Sequence, residues 1–124
     1  MPKYLSIVIP VYNKEENLKI LYKELKPFLE SIGKEYEIVF VDDSSVDNSP
    51  KILHQLAKQD TRIKVVKLLS NYGQSAAIAA GLENAEGRNI VTMDADLQHD
   101  PKDIPNLLKK LESGYDIIMR KLKD

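Results

Sequence analysis

Apolar residues along the chain switch repeatedly between two spacings. Leu5-Ser6-Ile7-Val8-Ile9-Pro10-Val11-Tyr12 is a short β-rich block that reads as a strand closed by Asn13. Pro10 cannot donate to a ladder and so belongs at the strand's end. Over residues 15–31 the apolar positions fall at helical intervals: Leu18, Leu21, Tyr22, Leu25, Phe28 and Leu29, followed by Ile32. Glu15 and Glu16 are expected in the first turn, where the helix dipole favours acids. Pro27 is expected to kink or shorten the helix, and Gly33 to end it. Residues 36–41 form a second strand running into Asp42-Asp43-Ser44-Ser45-Val46-Asp47. Ser49 as cap and Pro50 as first helical residue then open a short helix with Ile52, Leu53, Leu56 and Ala57 inward.

The stretch 62–69 contains a third strand, and Ser70-Asn71-Tyr72-Gly73 is a polar turn. An alanine-rich helix follows from about Gln74 to Glu86, with Gly87 as its expected terminator. Ala76, Ala77, Ala79, Ala80 and Gly81 would let it approach a sheet closely. A β-branched fourth strand, Ile90-Val91-Thr92-Met93, stops at Asp94-Ala95-Asp96-Leu97-Gln98. Residues 101–113 predict an amphipathic helix ended by Gly114, and 115–119 a fifth strand.

Strands alternating with helices imply an α/β domain: a parallel sheet with helices on both faces and all strand C-termini on one edge. Ligands of such sheets bind at that edge. The sequence delivers Pro10, Tyr12 and Asn13 there from strand one, Asp42 and Asp43 from strand two, Asn71 and Gly73 after strand three, and Asp94 and Asp96 from strand four. Four converging carboxylates would repel one another without a cation or a donor-rich ligand.

At 124 residues the chain is one domain, 1–124. A net charge of −1 gives no global field for nucleic acid or an anionic membrane. With no cysteine, disulfides and thiolate metal sites are excluded, and a cytoplasmic, reducing setting is permitted. His54 and His99 are isolated, so no zinc spacing exists. No apolar run reaches the ~20 residues of a membrane helix. A homo-oligomer is compatible with all of this.

Aspartates at i and i+2 of a strand end point to one side, and together can hold a hard divalent cation, Mg2+ or Mn2+, on a diphosphate. The paired Asp42-Asp43 suits hydrogen bonds to a base or ribose better than a second metal. Tyr12 can stack on a base. Asp47 reads as a turn or capping residue.

Pro10-Val11-Tyr12-Asn13, Asp42-Asp43-Ser44-Ser45-Val46-Asp47, Asn71-Tyr72-Gly73-Gln74 and Asp94-Ala95-Asp96-Leu97-Gln98 resemble, in order, the motifs of inverting GT-A glycosyltransferases (family 2 type). The likeness is strongest to the branch of dolichyl-phosphate mannose synthases and bacterial polyprenyl-phosphate glycosyltransferases. The resemblance implies a Rossmann-like nucleotide-binding half with sheet order 3-2-1-4. It also implies a UDP- or GDP-sugar donor, transfer with inversion, and a polyprenyl-phosphate or glycan acceptor. Pro10, Tyr12, Val41 and Asp43 would line the nucleoside pocket with Asp42 beside it, and Asn71 and Gly73 would border it. Asp94, Ala95 and Asp96 would meet ribose and diphosphate. The metal would be held by Asp96 and Gln98 together with Asp94, the two aspartates carrying the catalytic role.

Three positions depart from the family pattern: Lys14 for a glutamate, Ser44 for a glycine, and Ser70 for a basic residue. The family's later motifs, including the general base and acceptor site, have no counterpart. The expectation is a donor half truncated before the acceptor half, weakly active or inactive alone, from a protein working at the cytoplasmic membrane face. The alternatives are an inactive nucleotide-binding module and a phospho-receiver signalling domain.

Overall fold

A computed structural model describes residues 3–95 and 117–120. The elements are β1 (Leu5–Val11), α1 (Leu18–Ser31), β2 (Tyr36–Asp42), α2 (Ser49–Gln59), β3 (Ile63–Lys67), α3 (Gln74–Asn84), β4 (Asn89–Thr92) and β5 (Ile117–Arg120). They form one sheet ordered β3-β2-β1-β4-β5. The first four strands pair in parallel, as expected, with Ile7 level with Ile38 and Val91, and Phe40 level with Val65. β5 departs from the parallel pattern: it runs antiparallel to β4. The expected helix over 101–113 lies outside the described residues.

Side-chain alternation along the strands builds two apolar layers. Leu5, Ile7, Ile9 and Val11 of β1 and Ile38 and Phe40 of β2 face α1 and α2, meeting Leu18, Leu21, Leu25, Phe28, Leu29, Leu53 and Leu56. Val8, Val39, Val41 and Ile90 face the other way, onto Ala77 of α3. A Cβ on Gly81 would lie 2.3 Å from Val8 Cγ1, so the missing side chain lets α3 settle directly on β1 and β2. The alanine-rich sequence foretold that close approach, and Ala77 and Gly81, one turn apart, are the residues that use it.

Several local expectations are corrected. Helix α1 begins at Leu18, so Glu15 and Glu16 lie in the turn before it and no acid occupies its first turn. Pro27 sits inside α1 without shortening it; the helix continues to Ser31, and Gly33, at φ +72°, ends it. Ser49 is a helical residue and not a side-chain cap. Its N–H donates to Asp47 Oδ1 at 2.9 Å, so the preceding aspartate satisfies the helix start instead. α3 ends at Asn84, three residues before Gly87, which is a packing residue.

On the α1–α2 side the Tyr22 hydroxyl donates to Asp60 Oδ2 at 2.6 Å, and Asp60 also accepts the Arg62 N–H. Burial pushes Tyr22 upward, and with the Asp60 carboxylate beside it the phenol reaches about 12 from 10.0. Burial opposes the Asp60 charge, but the Tyr22 hydroxyl and the Arg62 N–H outweigh it and hold Asp60 below 3.8. The raised phenol contributes stability that is complete below pH 10 and lost as pH climbs toward 12. The lowered carboxyl contributes stability present above pH 3.8 and lost as pH falls further. Thermal unfolding of wild type and Tyr22→Phe should therefore differ most on the mid-pH plateau and converge at both extremes. A constant difference across pH would show that the bond does not couple to titration.

Candidate active site

The strand order turns between β1 and β4, since β2 and β3 lie to one side of β1 and β4 to the other. A hollow of about 300 Å³ opens at the C-terminal ends of these strands. Of the residues the sequence singled out, Pro10, Tyr12, Asp43, Asn71, Gly73, Asp94 and Ala95 line it together. Asp96 and Gln98 lie outside the described residues.

Two expected residues lie elsewhere. Val41 is fully buried in the layer beneath α3. Asp42, one residue on along the strand, points to the α2 side and lines a different hollow. Neighbouring residues of a strand face opposite ways, so the Asp42-Asp43 pair cannot act as one unit. The picture of four converging carboxylates is thus corrected: among the described residues, Asp43 and Asp94 are the carboxylates lining the hollow.

Asp43 is almost wholly buried and its two oxygens are engaged. Oδ1 accepts the Tyr72 N–H at 2.9 Å and Oδ2 the Gly73 N–H at 3.0 Å. It therefore ties the β3–α3 turn to the end of β2, just before α3 begins. Gly73 takes φ +98° at that junction, a conformation that favours glycine. Asp94, by contrast, is exposed, and among the described residues its Oδ1 accepts a side-chain hydrogen bond from Gln74 Nε2 at 3.2 Å. Gln74 belonged to the recognised Asn71–Gln74 motif, but its role at the site was missed. Its signal was a polar side chain on the first residue of α3.

The β1–α1 and β2–α2 loops flanking Tyr12 are laced together. Asn13 N–H donates to Ser45 Oγ, and Asn13 Oδ1 accepts the Val46 N–H, both at 2.9 Å. Lys14 N–H donates to Ser49 Oγ, and Glu15 N–H to Asp47 Oδ2. Burial works against the Asp47 charge, but hydrogen bonds from Ser49 and the Glu15 N–H prevail and lower its pKa below 3.8. Asp47 is thus the turn and capping residue the sequence suggested. Asn13 and Ser44 both hold left-handed backbone, at φ +53° and +60°. Asparagine tolerates this. Ser44 occupies the position where the resembled family has glycine, and its φ shows why glycine suits that place.

Among the described residues no group of three or more His, Cys, Asp or Glu side chains is arranged to hold a metal ion. Asp94 is the expected ligand that they include. Its oxygen chemistry, its exposure and its place at the mouth of the hollow fit a hard cation, with Asp96 and Gln98 following in sequence. No helix among them is long and apolar enough to cross a membrane.

The sheet order and the hollow at its turning point define an open α/β domain, a class that takes its ligands at the strand ends. The sequence matches glycosyl transferase family 2 over residues 6–122, and the chain belongs to that family. It is 44% identical over 117 residues to the undecaprenyl-phosphate 4-deoxy-4-formamido-L-arabinose transferase of Edwardsiella ictaluri, covering 94% of this chain and 36% of that protein. The chain thus spans about a third of the length of that relative. In structure it is similar to S. aureus TarS 1–349 (TM-score 0.66, 24% identity, 90% of this chain and 33% of that one), a likeness of fold. It is also similar to the mannosyltransferase PcManGT from Pyrobaculum calidifontis, solved with GDP-Man and Mn2+ (TM-score 0.63, 25% identity, 90% and 33%). The fold is the expected GT-A fold. The phospho-receiver alternative falls, since that class has the order 2-1-3-4-5.

Proposed function

We propose that residues 1–124 form the donor-binding domain of a glycosyltransferase, taking a UDP- or GDP-sugar in the hollow between β1 and β4. The observation behind this reading is that Asp94 stands at the mouth of a hollow whose walls are Pro10, Tyr12, Asp43, Asn71 and Gly73. Tyr12, 44% exposed, offers a ring face to the base. Asp43 shapes the base end by holding the β3–α3 turn in place. Asp94, with Asp96 and Gln98, would hold Mg2+ or Mn2+, which supplies neutralisation of the diphosphate leaving group when bound. Sugar transfer with inversion at the anomeric carbon to a polyprenyl phosphate completes the reading. Its support is the arabinose transferase likeness, which names such an acceptor. An acceptor of that kind would place the whole protein at the cytoplasmic membrane face. The acceptor and the general base would be handled by sequence that the relatives carry outside the matched third.

Calorimetric titration with UDP, GDP and their sugars, with and without Mn2+, tests this reading. Binding of one nucleotide series, strengthened by Mn2+, is expected. Asp96→Asn should remove the Mn2+-dependent increment, and equal metal-dependent binding by that variant would show that Asp96 is not a ligand.

A further inference from the structure

A second hollow, of about 620 Å³, lies between α2 and β3, on the side of β2 opposite the nucleotide cleft. Lys51, His54 and Lys58 share one stripe of α2, three or four residues apart, while Leu53 and Leu56 face the core. Lys67 of β3 closes the hollow from the sheet. None of the three lysines has an ion-pair partner among the described residues. The inner wall holds Asp42, 1% exposed. Its Oδ1 accepts the Ser45 N–H at 3.3 Å, and its Oδ2 has no hydrogen-bond partner among the described residues. A buried carboxylate oxygen left unsatisfied calls for a donor. Asp42 and Lys67 are register partners on adjacent strands, so a group reaching the lysine ammonium comes close to the carboxylate. The lysines outnumber Asp42 and leave a surplus of two positive charges on a chain whose net charge is −1.

We propose that this hollow binds a phosphate ester bearing a neighbouring hydroxyl. Lys51, Lys58 and Lys67 take the phosphate oxygens, and the hydroxyl donates to Asp42. Three cations suit an anion of more than one charge. The acceptor at the wall separates a hydroxyl-bearing ester from bare phosphate. A soluble phosphorylated polyol and the headgroup of a glycerol-bearing phospholipid both set a hydroxyl beside a phosphate, the monoester carrying up to two negative charges and the lipid diester one.

The test uses the full chain, titrated with glycerol 3-phosphate and inorganic phosphate, and in parallel with vesicles of phosphatidylglycerol in phosphatidylcholine or of phosphatidylcholine alone. Glycerol 3-phosphate should bind more tightly than inorganic phosphate and weaken as salt rises. Each of Lys51→Gln, Lys58→Gln and Lys67→Gln should weaken it by up to about fivefold, and the triple variant by more than tenfold. Asp42→Asn should narrow the preference over inorganic phosphate. Capture by phosphatidylglycerol vesicles alone would support the proposal and identify the lipid as source; binding of the soluble ester alone would support it with the soluble source. Excess UDP or GDP should leave this binding unchanged, and the triple lysine variant should keep its nucleotide binding, so the outcome is separate from that of the donor reading. Binding of neither probe, binding that survives the triple variant, or displacement by nucleotide would overturn the proposal.

Discussion

Asp94→Asn should cut Mn2+-supported binding of a nucleoside diphosphate by about 100-fold, or ~2.7 kcal/mol, while leaving the fold intact. Asparagine keeps the size of the side chain and an oxygen that can still accept from Gln74 Nε2, the hydrogen bond that holds Asp94 now. What disappears is the negative charge, and a hard divalent cation binds an anionic oxygen far better than an amide oxygen. Because Asp94 is exposed at the end of the sheet, the change should move thermal stability by no more than about 0.5 kcal/mol. Asp43→Asn provides the contrast. There one acceptor oxygen becomes a donor facing the Tyr72 or Gly73 N–H, so the β3–α3 turn loosens and nucleotide binding falls with or without metal. Calorimetry in Mn2+ and in chelator separates the two. An Asp94→Asn variant that keeps both its affinity and its Mn2+ increment would remove that carboxylate from the metal site.

The order of elements was legible because each carries its own period: β-branched blocks for the strands, and three- and four-residue spacing for α1 and α2. The candidate site was legible as a list of loop residues, since a parallel sheet brings its strand ends to one edge. Side-chain direction within that list was less well read. Strand alternation separates Val41 and Asp43 from Asp42, which the motif's contiguity in sequence hides. The depth of Val41 depends on α3 packing over it, which no local pattern reveals. Likewise, nothing within residues 13–15 announces that their amides would find Ser45, Ser49 and Asp47 more than thirty residues away. The direction of β5 depends on chain geometry beyond its own residues, so an apolar block alone could not show it.

Gly87 shows how the same residue type serves different ends, and Gly87→Ala should destabilise the fold by about 3 kcal/mol, the upper part of the range for overpacking. A Cβ there would stand 2.6 Å from both the backbone nitrogen and the Oγ of Ser6, and 2.7 Å from the Leu5 carbonyl carbon. These are mostly main-chain atoms of β1, locked on both sides by β2 and β4, so they cannot turn aside. The Gly87 N–H also donates to Ser6 Oγ at 2.7 Å, and that hydroxyl donates to buried Glu37 at 2.6 Å. Glu37 in turn accepts the Glu86 N–H and lies 3.2 Å from Lys64 Nζ. Pushing Gly87 outward would therefore strain a buried acid network as well as the strand. Gly81→Ala meets side-chain methyls, Val8 Cγ1 at 2.3 Å and Val41 Cγ2 at 3.1 Å, and no main-chain atom, and should cost about 1–2 kcal/mol. Urea unfolding of the two variants should place the Gly87→Ala midpoint clearly below that of Gly81→Ala. The reverse order would mean that the seating of α3 on the sheet, and not the approach of residue 87 to β1, sets the tighter limit.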